Sequence, residues 1–234
     1  MSDLIVVERD GPIATVILNN PERRNALCRE AWAVLADRMT ELSADLSLRC
    51  VVIRGAGDKA FAAGADIAEF ETERSNSAEA AAYGADTARA LDALIHCPHP
   101  TIAMIQGACT GGGLEIACCC DIRVCNESAR FGVPINRIGH PFAYAELEPV
   151  MRVAGRAAVL ELLLEGRIVD AEWAAARGLV SRVVADDAIE ADVERASTAI
   201  AKAAPLSMRG TKKFVNRLSF DASPLSEAEI AESY

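Results

Sequence analysis

The sequence predicts an α/β fold with a sheet-building first half and a helical C-terminal part. Three observations carry this. Short β-branched or wholly apolar runs recur along the first half, as in CVVIRG at Cys50–Gly55 and TIAMIQG at Thr101–Gly107. Each ends on glycine and is followed by a helical pattern, so strand, glycine and helix recur in order. From Phe142 onward the chain reads almost entirely helical.

In LIVVERDGPIATVILNN, two β-branched runs flank Asp10-Gly11, the signature of a hairpin. Between Cys28 and Ala44, Trp32, Leu35, Met39 and Leu42 recur at three- and four-residue steps, which predicts an amphipathic helix. CVVIRG is apolar without alternation, as expected of a strand covered on both faces. The polar stretch ETERSNSAEA, residues 71–80, predicts a loop. A helix is predicted from Ala78 to Ile95, broken by CPHP before the next strand. IRVC and ARFG, after Asp121, are two further extended runs.

With 234 residues, 51% of them hydrophobic, the chain can fill a sizeable core. A net charge of −10 and the absence of a Lys/Arg block argue against a nucleic-acid or anionic-membrane surface. No apolar run reaches the roughly 18 residues a membrane span needs. The start, MSDLIVVERDG, carries two acids and no long apolar core, so it does not read as a targeting peptide. A cytoplasmic protein is expected, and the eight cysteines, set in apolar runs, read as reduced and buried.

The stretch GACTGGGLEIACCCDI, Gly107–Ile122, admits three readings: a metal site, a phosphate loop, or a surface for a ligand. Consecutive helical residues point about 100° apart, so Cys118, Cys119 and Cys120 cannot converge on one ion. Neither GxxxxGK[ST] nor GxGxxG is present in TGGGLE, which removes the common nucleotide loops. What remains is backbone. Glycines that open a helix leave amide N–H groups pointing outward with no Cβ in the way, and the helix dipole favours negative charge there. The same glycines would also suit a tight turn with close helix packing. AFAAGADI, Ala60–Ile67, is a second small-residue loop after a strand, with a short helix expected from Asp66, and it could supply a second donor. Glu115 falls in the first turn of the glycine-opened helix, where it is either an acid/base or a capping residue.

Four ordered stretches make the chain resemble the crotonase superfamily of enoyl-CoA hydratases and isomerases. They are LNNPERRNAL, AFAAGADI, HPTIAMIQGACTGGGLEIACCCDIRV and GRIVDAEWAAARGLVSRVV, which together span nearly the whole chain. The resemblance implies a spiral of ββα repeats over residues 1–185 and a helical trimerisation segment over 186–234, shorter than usual for the family. It implies homotrimers, often paired into hexamers, and a role in fatty- or aromatic-acid metabolism. The substrate would be an acyl-CoA thioester, with coenzyme A arriving as part of it and no separate cofactor or metal.

By the same resemblance, the N–H groups of Ala65 and Gly112 match the oxyanion hole, with Gly64 and Gly111 beside them. Glu115 matches the first of the two hydratase glutamates. Arg23 or Arg24 matches the side that handles the CoA phosphates, and backbone near Ala26, Ala63, Asp66 and Ile67 matches the adenine and pantetheine wall. The second hydratase glutamate follows a proline; here Pro134 is followed by Ile135. The usual glycine-rich turn is replaced by IGHPFAYAELEPV, which brings His140, Tyr144, Glu146 and Glu148 near that place. The two glutamates are expected to be solvated, and His140 is favoured over them as a substitute because it lies in the loop. Ile135, Phe142 and Tyr144 hint at a bulky, dry pocket wall. Lys212 and Lys213 could reach CoA phosphates across a subunit boundary, although a solvated face is the simpler account. Hydration of a 2-enoyl-CoA is the leading expectation; a single-glutamate double-bond isomerase and a non-catalytic acyl-CoA-binding homologue are the alternatives.

Overall fold

Among the described residues ten strands, β1 (Ile5–Asp10), β2 (Ile13–Leu18), β3 (Cys50–Gly55), β4 (Ala60–Ala62), β5 (Thr101–Ile105), β6 (Ala108–Thr110), β7 (Ile122–Asn126), β8 (Arg130–Gly132), β9 (Ile168–Asp170) and β10 (Arg182–Val184), form two sheets. The larger has the order β1-β2-β3-β5-β7-β10 and the smaller β4-β6-β8-β9. The structure is a computed structural model and describes residues 4–66, 69, 76–137, 139 and 142–232. Within them the helices are α1 (Arg29–Ala44), α2 (Ser77–Ile95), α3 (Gly112–Cys119), α4 (Tyr144–Glu165, broken at Gly155), α5 (Ala171–Ala176), α6 (Ile189–Lys202), α7 (Pro205–Phe220) and α8 (Glu227–Glu232).

The predicted hairpin forms, with β1 and β2 antiparallel in the register Asp10↔Ile13 through Ile5↔Leu18. From β2 to β10 the larger sheet is parallel. Three times in succession a strand of the large sheet is followed by one of the small sheet and then a helix: β3-β4-α2, β5-β6-α3 and β7-β8-α4. This is the ββα repeat that the resemblance implies.

The apolar runs lack alternation because both faces of the large sheet are covered. Val51 and Ile53 belong to the main core with Trp32, Leu35 and Met39 of α1. Cys50 and Val52, one residue out of phase, pack on the opposite face with Ile102, Met104 and Val124. That second face is closed by Ile189 and Val193 of α6, so the first helix after residue 185 is packed on the sheet. Burying a side chain such as Val193 is worth roughly 1.5–3 kcal/mol, which holds this helix to the sheet.

Three expectations need correction. The region after Phe142 is not almost entirely helical, because β9 pairs antiparallel with β8 and β10 pairs parallel with β7. Each is three residues long, too short for a periodic signal, and its conformation is set by the strand beside it. The polar stretch 71–80 is helical from Ser77, where the Asn76 side chain caps α2 by accepting from Ala78 N and Glu79 N. Lys212 is not on a solvated face: it is buried, 2.8 Å from Asp121 Oδ2, and donates to the carbonyl of His99. The helix expected from Asp66 falls largely on residues outside those described. None of the described helices is long and apolar enough to cross a membrane.

Candidate active site

Two loops meet at the junction of the repeats. One leaves β4 through Ala63, Gly64 and Ala65, and the other leaves β6 through Gly111 into α3. Their backbones touch: a Cβ on Gly64, whose φ is +101°, would stand 3.0 Å from Thr110 O and 3.2 Å from Gly112 N. Only glycine combines that conformation with that approach. The Thr110 hydroxyl fastens the loops by donating to Ala63 O over 3.0 Å.

Ala65 forms an isolated parallel bridge with Leu27. Leu27 N donates to Gly64 O, and Asp66 N donates to Leu27 O. In such a bridge the amide of the intervening residue points the other way, so the Ala65 N–H faces away from Leu27. On the other loop, Gly111 N donates to Gly132 O, while Leu114 N and Glu115 N donate to Gly111 O. Gly112 is the first residue of α3, where a helix has amides without intrahelical partners. A Cβ on Gly112 would lie 3.6 Å from Ala65 N, so the two residues to which the resemblance points are neighbours in space. These glycines serve close packing, since a Cβ on Gly113 would stand 2.3 Å from Ala62 O and one on Gly64 3.0 Å from Thr110 O.

Glu115 stands in the first turn of α3, only 4% exposed. The helix it enters is buried on every side, including Cys118 and Cys119, with Cys120 capping its end. Burial pushes the Cys118 and Cys120 thiols up to about 12, and Cys109 and Cys119 rise for the same reason. These cysteines are core residues. Among the described residues no group of three or more His, Cys, Asp or Glu side chains is gathered as a metal would require.

The ERRNAL segment is a tight turn beside the AFAAGADI loop. Arg24 and Asn25 both have left-handed backbone, with φ of 52° and 57°. Arg23 pairs with the carboxylate of Asp66, joining two predicted CoA-side residues. Arg24 is exposed, and its carbonyl accepts from Ala63 N. The carbonyl of Ala26 accepts from Asn20 Nδ2. Backbone amides expected along the pantetheine wall, those of Ala63, Ala26 and Asp66, are thus already engaged within the chain.

Sequence reading passed over Asn25, which organises this turn. It is 1% exposed; its Nδ2 donates to Ala60 O at 2.8 Å and to Ala56 O at 3.0 Å, while its Oδ1 accepts from Asn20 N. The signal was present, since Asn tolerates left-handed backbone and lies between two motif residues.

Pro134 and Ile135 lie in a 3-10 turn, Pro134–Arg137, with Ile135 half-buried against the main core. Among the substitutes considered for the second glutamate, Tyr144 is 92% exposed, which removes it from a dry pocket wall, while Phe142 does pack on the core. Glu146 is buried, not solvated: its carboxylate folds back to accept from Ala143 N over 3.0 Å and caps α4. Glu148 is exposed and pairs with Arg152. His140 and Ile67 lie outside the described residues.

The family described as enoyl-CoA hydratase/isomerase matches residues 8–231. A solved structure titled enoyl-CoA hydratase/carnithine racemase, from Magnetospirillum magneticum, superimposes with a TM-score of 0.97 at 53% identity, covering 100% of this chain and 87% of that one. A probable enoyl-CoA hydratase of Mycobacterium bovis is 35% identical over 98% of this chain and 87% of its own. A crotonyl-CoA hydratase of Syntrophomonas wolfei is 30% identical over 91% of this chain and 81% of its own. Fold, paired loops and relatives agree, and the chain belongs to the enoyl-CoA hydratase/isomerase family.

Proposed function

We propose that the protein hydrates 2-enoyl-CoA thioesters, with Glu115 as its acid/base and the amides of Ala65 and Gly112 as an oxyanion hole. The single observation that supports this reading is the contact between the Gly64 and Gly112 backbones, with Ala65 N beside Gly112 and a buried glutamate one turn along the same helix. The thioester oxygen accepts from both amides. As the water oxygen bonds to C3, the C2=C3 electron pair shifts to C1–C2 and the carbonyl pair moves onto the thioester oxygen, so an enolate forms. Donors placed for the growing charge stabilise the transition state more than the substrate. Glu115 takes the proton from the attacking water, and the same carboxyl then returns a proton to C2 as the thioester carbonyl reforms. With Ile135 at the second acid position, one carboxyl carries both transfers. Coenzyme A arrives with the substrate and no further cofactor is needed.

Names borne by relatives such as the crotonyl-CoA hydratase support this substrate class. Ile135 favours a second reading, in which Glu115 shuttles one proton between the α and γ carbons of an enoyl chain. Incubation with crotonyl-CoA and with a 3-enoyl-CoA separates the two. Formation of 3-hydroxybutyryl-CoA supports hydration, whereas migration of the 3-ene without added water supports the isomerase. If neither substrate changes but both bind, the catalytic readings fail.

The homotrimer is part of the same proposal. Leu206, Leu218, Phe220 and Ile230 of α7 and α8 are between 40% and 81% exposed. They line an apolar groove against the end of α2, together with Ile95 and Pro98. A patch of that kind suits burial between copies. A cytoplasmic location belongs with it, supported by the eight free cysteines. Light scattering at micromolar protein tests the assembly.

A further inference from the structure

We infer that Trp32 is a positioning residue for the oxyanion hole, an inference that rests on the proposed role of Ala65 and Gly112. Trp32 of α1 is 1% exposed, and its indole Nε1 is buried without a hydrogen-bond partner among the described residues. An unpaired buried N–H is destabilising, and an aliphatic residue would fill this helix position without one. The indole thus differs from an aliphatic side chain by one buried polar group and by its reach.

A Cβ on Gly112 would stand 2.6 Å from Trp32 Cζ2 and 3.1 Å from Cη2, both in the six-membered ring, and 3.6 Å from Ala65 N. The far corner of the indole therefore abuts residue 112 beside the Ala65 amide. The neighbouring glycines differ. Gly113 is excluded from carrying a side chain by Ala62 O at 2.3 Å, and Gly64 by its positive φ and the Thr110 carbonyl. At Gly112 the two nearest atoms both belong to the Trp32 side chain, ahead of Ala65 N. Backbone donors are placed by the packing around them, so their spacing depends on what they rest against. The indole corner is the stop that fixes Gly112 against Ala65. A phenyl ring at position 32, one ring shorter, withdraws that stop.

The test is a double-mutant cycle of Trp32→Phe and Gly112→Ala. In W32F, kcat for crotonyl-CoA hydration should fall about 10–100-fold with KM within about threefold, because donor spacing matters most once charge develops. Without the ring corner the alanine Cβ has room, so Gly112→Ala should cost at least about tenfold less in the W32F background than alone. A second readout needs no turnover. Acetoacetyl-CoA can present an enolate to the hole and butyryl-CoA cannot, so W32F should weaken the first by about tenfold and leave the second unchanged. Should the phenylalanine variant not fold, Trp32→Met fills the gap flexibly and gives the same reading.

An unchanged kcat and unchanged acetoacetyl-CoA affinity, with only a lowered melting temperature, would make Trp32 a core residue and overturn the inference. Multiplicative, independent losses in the cycle would overturn it too. If wild type fails to hydrate crotonyl-CoA but the acetoacetyl-CoA preference falls in W32F, the proposed function is lost and the inference stands. If wild type binds neither thioester, both fall.

Discussion

The Lys212 ammonium of α7 lies 2.8 Å from Asp121 Oδ2, at the entry to β7, with the lysine side chain 7% exposed. The same carboxylate accepts from Thr101 N and the Thr101 hydroxyl at the start of β5. One acid thus joins α7 to two central strands. Removing one partner of a buried pair leaves the other charge uncompensated, which costs about 3–5 kcal/mol when both are fully buried.

Because Asp121 keeps partial access to water, Lys212→Met should destabilise by about 2–3 kcal/mol, below the fully buried range. Urea unfolding measures it. A loss under about 0.5 kcal/mol, typical of exposed pairs, would show that the pair is solvated after all.

Asn25→Ala should cost about 2–4 kcal/mol, since it leaves the Ala60 and Ala56 carbonyls without their donor and puts alanine where φ is 57°. Asn25→Gly keeps the backbone conformation and should cost less. The order of the two variants in a denaturant titration checks the argument; equal stability would remove the left-handed backbone from it.

Gly113→Ala would place a Cβ 2.3 Å from Ala62 O, forcing the glycine-opened helix away from the AFAAGADI loop. As the clash is with backbone, no rotamer relieves it. Hydratase kcat should drop by about 100-fold or more, comparable with loss of one oxyanion donor. Steady-state kinetics at saturating crotonyl-CoA would show it.

Stability should fall in alkali. Cys50, Cys118, Cys120 and Cys125 have thiols raised from 9.0 to about 12, in each case chiefly by burial. Above pH 9 the unfolded chain releases these protons while the native chain keeps them. The unfolded state then binds fewer protons, so unfolding free energy declines with pH, by roughly 1.4 kcal/mol per pH unit for each thiol. Full stability is retained below about pH 9 and is lost progressively toward about pH 12. Urea midpoints at pH 8 and pH 10 test this, and native-state alkylation at pH 8 should reach Cys28, the half-buried one, before the others.

Much of this was legible in the sequence because local and tertiary preferences agree. The apolar runs of β3 and β5 are buried on both faces, and Trp32, Leu35, Met39 and Leu42 mark the inner side of α1 as read. Backbone logic read the two glycine loops as either donors or tight turns, the resemblance pointed to Ala65 and Gly112, and the fold brings those two residues together. What sequence could not show depends on long-range partners. β9 and β10 are strands only because β8 and β7 lie beside them. Glu146 and Lys212 look like solvated helix charges until Ala143 N and Asp121 take them up. The indole of Trp32 reads as core in either case; its contact with Gly112, 80 positions along the chain, requires the fold.

The most direct test of the central claim is mass spectrometry of crotonyl-CoA incubated in heavy water with wild type and with Glu115→Gln. Wild type should yield 3-hydroxybutyryl-CoA carrying solvent deuterium at C2, while Glu115→Gln still binds the thioester but turns it over at least about 100-fold more slowly, as expected when the acid/base is lost. Equal hydration by both proteins would contradict the account, because the proton would then be moved by a group other than Glu115.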